Sequence, residues 1–170
     1  TVKKIAGAYL GIQTVGVALK ASDTVTTTQN RLNALNGNDS GQTAESMDKI
    51  YAAAQRSRTG YDDMLGNVSK SMTLAPDAFQ GNMDNAIRFQ EIMAEAYSLS
   101  GASAAEISSS MYQMVQALGS GVLQGDELRS VREGASMAYM AIEEYAQSIY
   151  NTQDSLKDMA SEGLITAEIV

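Results

Sequence analysis

Residues 128–149 read LRSVREGASMAYMAIEEYAQSI, and in them Leu128, Val131, Ala135, Ala138, Ile142, Tyr145 and Ile149 alternate steps of three and four without a miss. That beat puts one apolar side chain per helical turn on one face, the pattern of a helix lying along another helix. A strand needs a period of two, which this stretch lacks. Gly134 sits inside the seam and predicts a kink or a split there, because glycine is a poor helix residue. The stretch predicts helix-on-helix packing and an interaction role for 128–149.

The same beat extends through most of the chain. Met47, Ile50, Ala54, Tyr61, Met64 and Val68 share one stripe, with Ser57 filling the remaining step, and predict a helix over 44–72. At 1.5 Å per residue it would be roughly 40 Å long. Pro76-Asp77 suits the first turn of a further helix over 77–99, with Ala86, Phe89, Met93 and Ala96 on one face. Ser103 and Glu106 have capping-box spacing ahead of the stripe Ile107, Met111, Met114, Val115 and Leu118. Gly119, Gly121 and Gly125 punctuate the turn that follows. A last amphipathic piece covers 152–160, and Gly163 is its stop signal. Upstream, 31–35 is helical in pattern and Asn36–Gly41 is a loop dense in turn formers. The β-branched run in 22–30 breaks the beat and predicts a short extended segment near 24–29. The fold class expected is all-α: an irregular bundle of about five to seven helices. One proline in 170 residues agrees with it.

Two parts are expected. Residues 1–21 form an apolar helix that packs on the domain or on a partner, with Val2, Ile5, Tyr9, Ile12 and Leu19 on its beat. The run from Ile5 to Leu19 has 15 residues, short of the roughly 20 that a membrane span needs. Lys3 and Lys4 ahead of it suit a signal peptide, but Gln13 and Thr14 inside the run favour a docking helix. Residues 22–170 form the main helical domain. Thr166-Ala-Glu-Ile-Val170 reads as an N-cap and a first turn, so the sequence reads as a piece of a longer chain.

Composition narrows the chemistry. Twelve basic and twenty acidic side chains leave a net charge of −8, and no basic cluster exceeds Lys3-Lys4 or Arg56-Ser-Arg58. Duplex binding needs several cations to replace counterions, so specific nucleic-acid binding is not expected. The chain has no Cys and no His, which removes thiolate, imidazole and the usual zinc chemistry. Adjacent carboxylates such as Asp62-Asp63, Asp126-Glu127 and Glu143-Glu144 point apart on a helix and make poor acid/base pairs. Glu91 and Glu95 share a face and read as a solvated one. Gly119-Ser-Gly-Val-Leu-Gln-Gly125 lacks the Gly-Lys-Ser/Thr ending of a phosphate cradle and reads as a helix-linking turn. Ten Met and no Trp suggest an adaptable core without aromatic sugar platforms. No catalytic, cofactor-binding or metal-ligating residue is expected.

Five blocks in order carry a family resemblance. Ser22-Asp23-Thr24 through Gln29-Asn30-Arg31-Leu32 resembles an SD-x-x-x-x-x-QNRL segment, and Ala54-Gln-Arg-Ser-Arg58 an A-Q-R-[ST]-R segment. Ser100-Gly-Ala-Ser103 resembles an L-S-G-A-S turn. Gln116 to Leu128 resembles Q-A-L-A-S-G-x-L-R-G-[DE]-E-F, with Gln124 where Arg is usual and Leu128 where Phe is usual. Gly134-Ala135-Ser136 stands where the family often has a proline. Leu156 to Glu168 resembles L-[RK]-x-[ML]-x-x-E-G-x-[IL]-T-A-E. Together they resemble the N-terminal domain of phage tail tape measure proteins. The resemblance implies a non-enzymatic assembly component of a phage or prophage tail, which sets tail length and is released at DNA ejection. It implies copies of itself, tail tube, tail assembly or baseplate proteins as partners, and a place in the virion tail after assembly in the host cytoplasm. Two other classes compete with it. A secreted helical effector or adhesin fragment rests on the Lys3-Lys4 apolar segment alone. A carboxylate-dependent peptidoglycan hydrolase is disfavoured by the missing polar cleft signature and by the absence of aromatic sugar platforms, since the chain has no Trp.

Overall fold

The computed structural model describes residues 26–123 and 125–170, and the apolar stretch expected over 1–21 lies outside them. Residues 26–35 are helical (α1), so 26–29 is not the extended segment that its Thr-rich sequence suggested. Tertiary contact overrides the weak β propensity here: Leu32 of α1 is fully buried. Gly37 (φ 67) and Asn38 (φ 65) then reverse the chain in the left-handed region. The Asp39 carboxylate accepts from the Gly41 and Gln42 amides at 2.8 and 3.0 Å, which caps α2 (Ser40–Ser57).

The helix expected over 44–72 is in fact two. Ser57 Oγ bonds back to the Ala53 carbonyl at 2.8 Å, Arg58 turns left-handed at φ 57, and Gly60 opens α3 (Tyr61–Leu74). Both helices present their stripe to one core, which is why the three/four beat runs across the break. Ile50, Ala53 and Ala54 of α2 and Met64, Leu65 and Val68 of α3 are all buried. The helix expected from 77 is also shorter. Asp77–Phe79 makes one 3-10 turn, Gln80 (φ 54) and Gly81 (φ 65) stop it, and Asn82 caps α4 (Met83–Leu99).

Ser103 and Glu106 form the reciprocal capping box expected of them, and α5 (Ala104–Ser120) follows. Burial inside α5 falls on Ile107, Met111, Met114, Val115 and Leu118, the stripe read from the sequence, together with Ala117. Gly121 (φ 89) ends it. The region 128–149 is split at Ala135, whose φ and ψ of −137 and 61 separate α6 (Gly125–Gly134) from α7 (Ser136–Tyr150). After α8 (Leu156–Ser161), Gly163 (φ 74) stops the helix and the chain returns to the α5–α6 turn. There Val122 and Thr166 form an antiparallel bridge, with Leu123 N donating to Ile165 O at 2.8 Å. Ile169 and Val170 amides donate to the Thr166 carbonyl, so Thr166 does open a final turn.

Packing runs α2 on α3 and α4, α3 on α5, α5 on α6, and α6 on α7 and α8, with α4 reaching α7. Two glycines permit this closeness. A Cβ on Gly119 would stand 2.6 Å from the Leu74 carbonyl oxygen, and one on Gly134 would stand 2.5 Å from Tyr97 Cε1. The Tyr97 ring is fully buried at that crossing, and burial pushes its phenol pKa up. Its hydroxyl sits beside Ser110 and Ser130 without a well-formed bond to either.

Candidate interaction surface

The seam read from 128–149 faces two ways. Leu128, Val131, Ala135 and Ile142 are buried against the domain's own helices, so this part is core and not a partner surface. Tyr145 and Ile149 stand half exposed. The break at Ala135 and the drift between a 3.5 and a 3.6 period explain it: the inward line along α7 continues to Ala146, not Tyr145.

The outward face of α7 carries a second stripe, of which the seam in the sequence includes only Tyr145 and Ile149. Met137, Met140, Tyr145 and Ile149 are 55, 59, 50 and 53% exposed, and Ala141 lies exposed between them. Positions 137, 140, 141, 144, 145, 148 and 149 share one face by helical spacing, and only Glu144 and Ser148 among them are polar. Exposed apolar side chains gathered on one helix face are a surface of the kind that protein interfaces use. The signal was present in the sequence as Met137, Met140 and Ala141 at steps of three and one, beside the seam that was read instead.

The acidic groups are spread over the fold. Asp62 and Asp63 occupy the first turn of α3, and Asp126 and Glu127 that of α6, where the helix dipole favours them. Glu143 Oε1 accepts from the Leu156 amide at 3.2 Å and tethers α8 to α7. Among the described residues no three acidic side chains gather as a metal site, and no helix is long and apolar enough to cross a membrane.

Glu91 is not the solvated group expected of it. Arg56 of α2 grips it with Nε on Oε1 and Nη2 on Oε2, the latter at 2.8 Å. The two-point hydrogen bond to Arg56 holds the Glu91 carboxyl below the usual carboxylate range. A depressed folded-state pKa adds stability above the unfolded value, about 4.3, and that part is lost as pH falls through the folded value. Glu91→Gln is therefore expected to lower the urea midpoint at about pH 7, and to lower it less as the pH falls below the unfolded value of about 4.3. An equal difference at every pH would show that the charge plays no part.

Residues 16–170 match the family described as tape measure protein. No curated protein and no solved structure matches the chain. The matched span covers most of the sequence and all of the helical domain, so the chain belongs to the tape measure protein family.

Proposed function

We propose that this domain is an assembly module of the tape measure. It joins copies of the tape to one another or to tail tube and baseplate components, takes part in setting tail length, and leaves with the tape at DNA ejection. The family gives the coarse role, a structural component of a phage tail. One observation supports the assembly role: α7 projects four large apolar side chains, Met137, Met140, Tyr145 and Ile149, into solvent along one face. Apolar side chains of this size are enriched where proteins meet and contribute most when a partner excludes water from them. The domain does this without bond-making chemistry, and its acidic surface keeps it from clinging to the DNA that passes through the same tube. Residues 1–21 dock on this domain or on a neighbouring component, as their apolar beat suggests.

The double substitution Met140→Glu and Ile149→Lys, made in the phage genome, tests the assembly role. Both positions are exposed, so circular dichroism and melting of the purified chain are expected to change little. Electron microscopy is expected to show tails absent or irregular in length, with a fall in infectious particles of at least tenfold. Normal tails at normal titre would overturn the proposal.

A further inference from the structure

The exposed face of α7 has one charge at its centre. Glu144 follows Met137 and Met140 at steps of seven and four and precedes Ser148 at a step of four, so it stands in the middle of the apolar row. It is exposed, and among the described residues no ion pair reaches it. A partner that covers this face must bring a cation to Glu144. Otherwise a carboxylate is taken out of water with nothing to balance it, which is strongly unfavourable. Helix α7 itself carries no basic residue that could supply one. The face therefore asks for a partner that is apolar along one side and positively charged.

A second α7 does not fit that description. The row runs from Met137 to Ile149, and its midpoint lies beside Glu144. A twofold antiparallel pair of α7 faces would set the two Glu144 carboxylates against each other. The rest of a second domain fits no better. Residues 22–170 hold nine basic and twenty acidic side chains, a net −11, and surfaces of like charge repel.

Residues 1–21 fit on each count. They hold three lysines, Lys3, Lys4 and Lys20, and no carboxylate. Their apolar beat of Val2, Ile5, Tyr9, Ile12 and Leu19 supplies one apolar side, and Lys20 continues it at a step of four from Gly16. As a helix, Val2 to Leu19 would be about 25 Å long, against about 18 Å for the α7 face from Met137 to Ile149. We propose, on the reading that α7 is the assembly contact, that residues 1–21 of one copy lie as a helix along the α7 face of a second copy, with a lysine ammonium against Glu144. What each copy offers differs from what it receives. Such a contact is heterologous, so copies add head to tail and each holds two neighbours.

Sedimentation velocity of the 170-residue chain and of two variants tests this. The parent is expected to grow past the dimer as its concentration rises. One variant, Ile5→Asp with Ile12→Asp, spoils the segment and leaves α7 intact. The other, Met140→Lys with Ile149→Lys, spoils the α7 face at two exposed positions and leaves the segment intact. Each is expected to stay monomeric alone, and an equal mixture of the two is expected to form a dimer and nothing larger. Circular dichroism of each variant checks that the helices remain. Glu144→Lys in the parent is expected to weaken association at least about tenfold, while Asp48→Lys, the same change of charge at an exposed position of α2, weakens it less than about twofold. A parent that is monomeric throughout, a mixture that does not pair, or equal effects of the two charge changes would overturn the proposal. Association that persists in the first variant would also overturn it. Should the phage tails still fail with a spoiled α7, the assembly role would stand with a different partner.

Discussion

Gly119→Ala is expected to destabilise the domain by about 2–3 kcal/mol, and to lower the melting temperature by about 5–10 °C. The added Cβ would sit 2.6 Å from the Leu74 carbonyl oxygen and 3.2 Å from its carbon. That neighbour is main chain at the end of α3, where the helix turns through the buried Ala75. Main chain cannot step aside by changing rotamer, so α5 must move off α3. The gain in helix propensity from glycine to alanine, about 1 kcal/mol, opposes this and is too small to win. Thermal and urea denaturation of the variant measure the result. An unchanged or raised midpoint would mean that the α3–α5 contact is looser than the structure has it.

Gly134→Ala is expected to have a similar or larger effect, for a different reason. Its Cβ would meet Tyr97 Cε1 at 2.5 Å and Cδ1 at 2.8 Å. The ring is fully buried where α4 meets the end of α6, so it has no solvent to turn into. Overpacking of this kind typically costs about 1–3 kcal/mol, occasionally more. A double-mutant cycle isolates the contact. In a Tyr97→Phe background the ring remains, and Gly134→Ala is expected to destabilise as much as in the parent. In a Tyr97→Leu background the plane of the ring is gone, and the two changes are expected to fall short of additivity by at least about 1 kcal/mol. Strict additivity with Tyr97→Leu would remove the ring as the cause.

What the sequence made legible was what short-range physics decides. The Ser103–Glu106 capping box depends on residues three apart and is found as expected. The Ile107–Leu118 stripe and the Gly163 stop follow for the same reason. The break at Arg58 was hidden, because the step from Ser57 to Tyr61 is four and keeps the helical count. A reversal that preserves periodicity leaves no mark in a pattern of apolar residues. At α7 the pattern was real, yet Tyr145 and Ile149 belong by spacing to both an inner and an outer stripe. Choosing between them requires knowing where α4 and α6 lie. The burial of Gln90 was illegible altogether. Gln90 stands between Phe89 and Glu91 like any surface glutamine, and only the meeting of α3 with α4 buries it. Glu91 was misread for the same reason, since its partner Arg56 lies 35 residues away.

The bridge between Val122 and Thr166 has a mechanical consequence. A pull on Val170 reaches the bundle first through the bridge at Thr166, where Ala167 N holds Gly121 O at 3.3 Å and Leu123 N holds Ile165 O at 2.8 Å. Behind them the Ile165 side chain is plugged into the core. Tension along the chain would therefore peel this latch and α8 before it strained α2, α3 and α4, leaving the domain a yielding end and a stiff one.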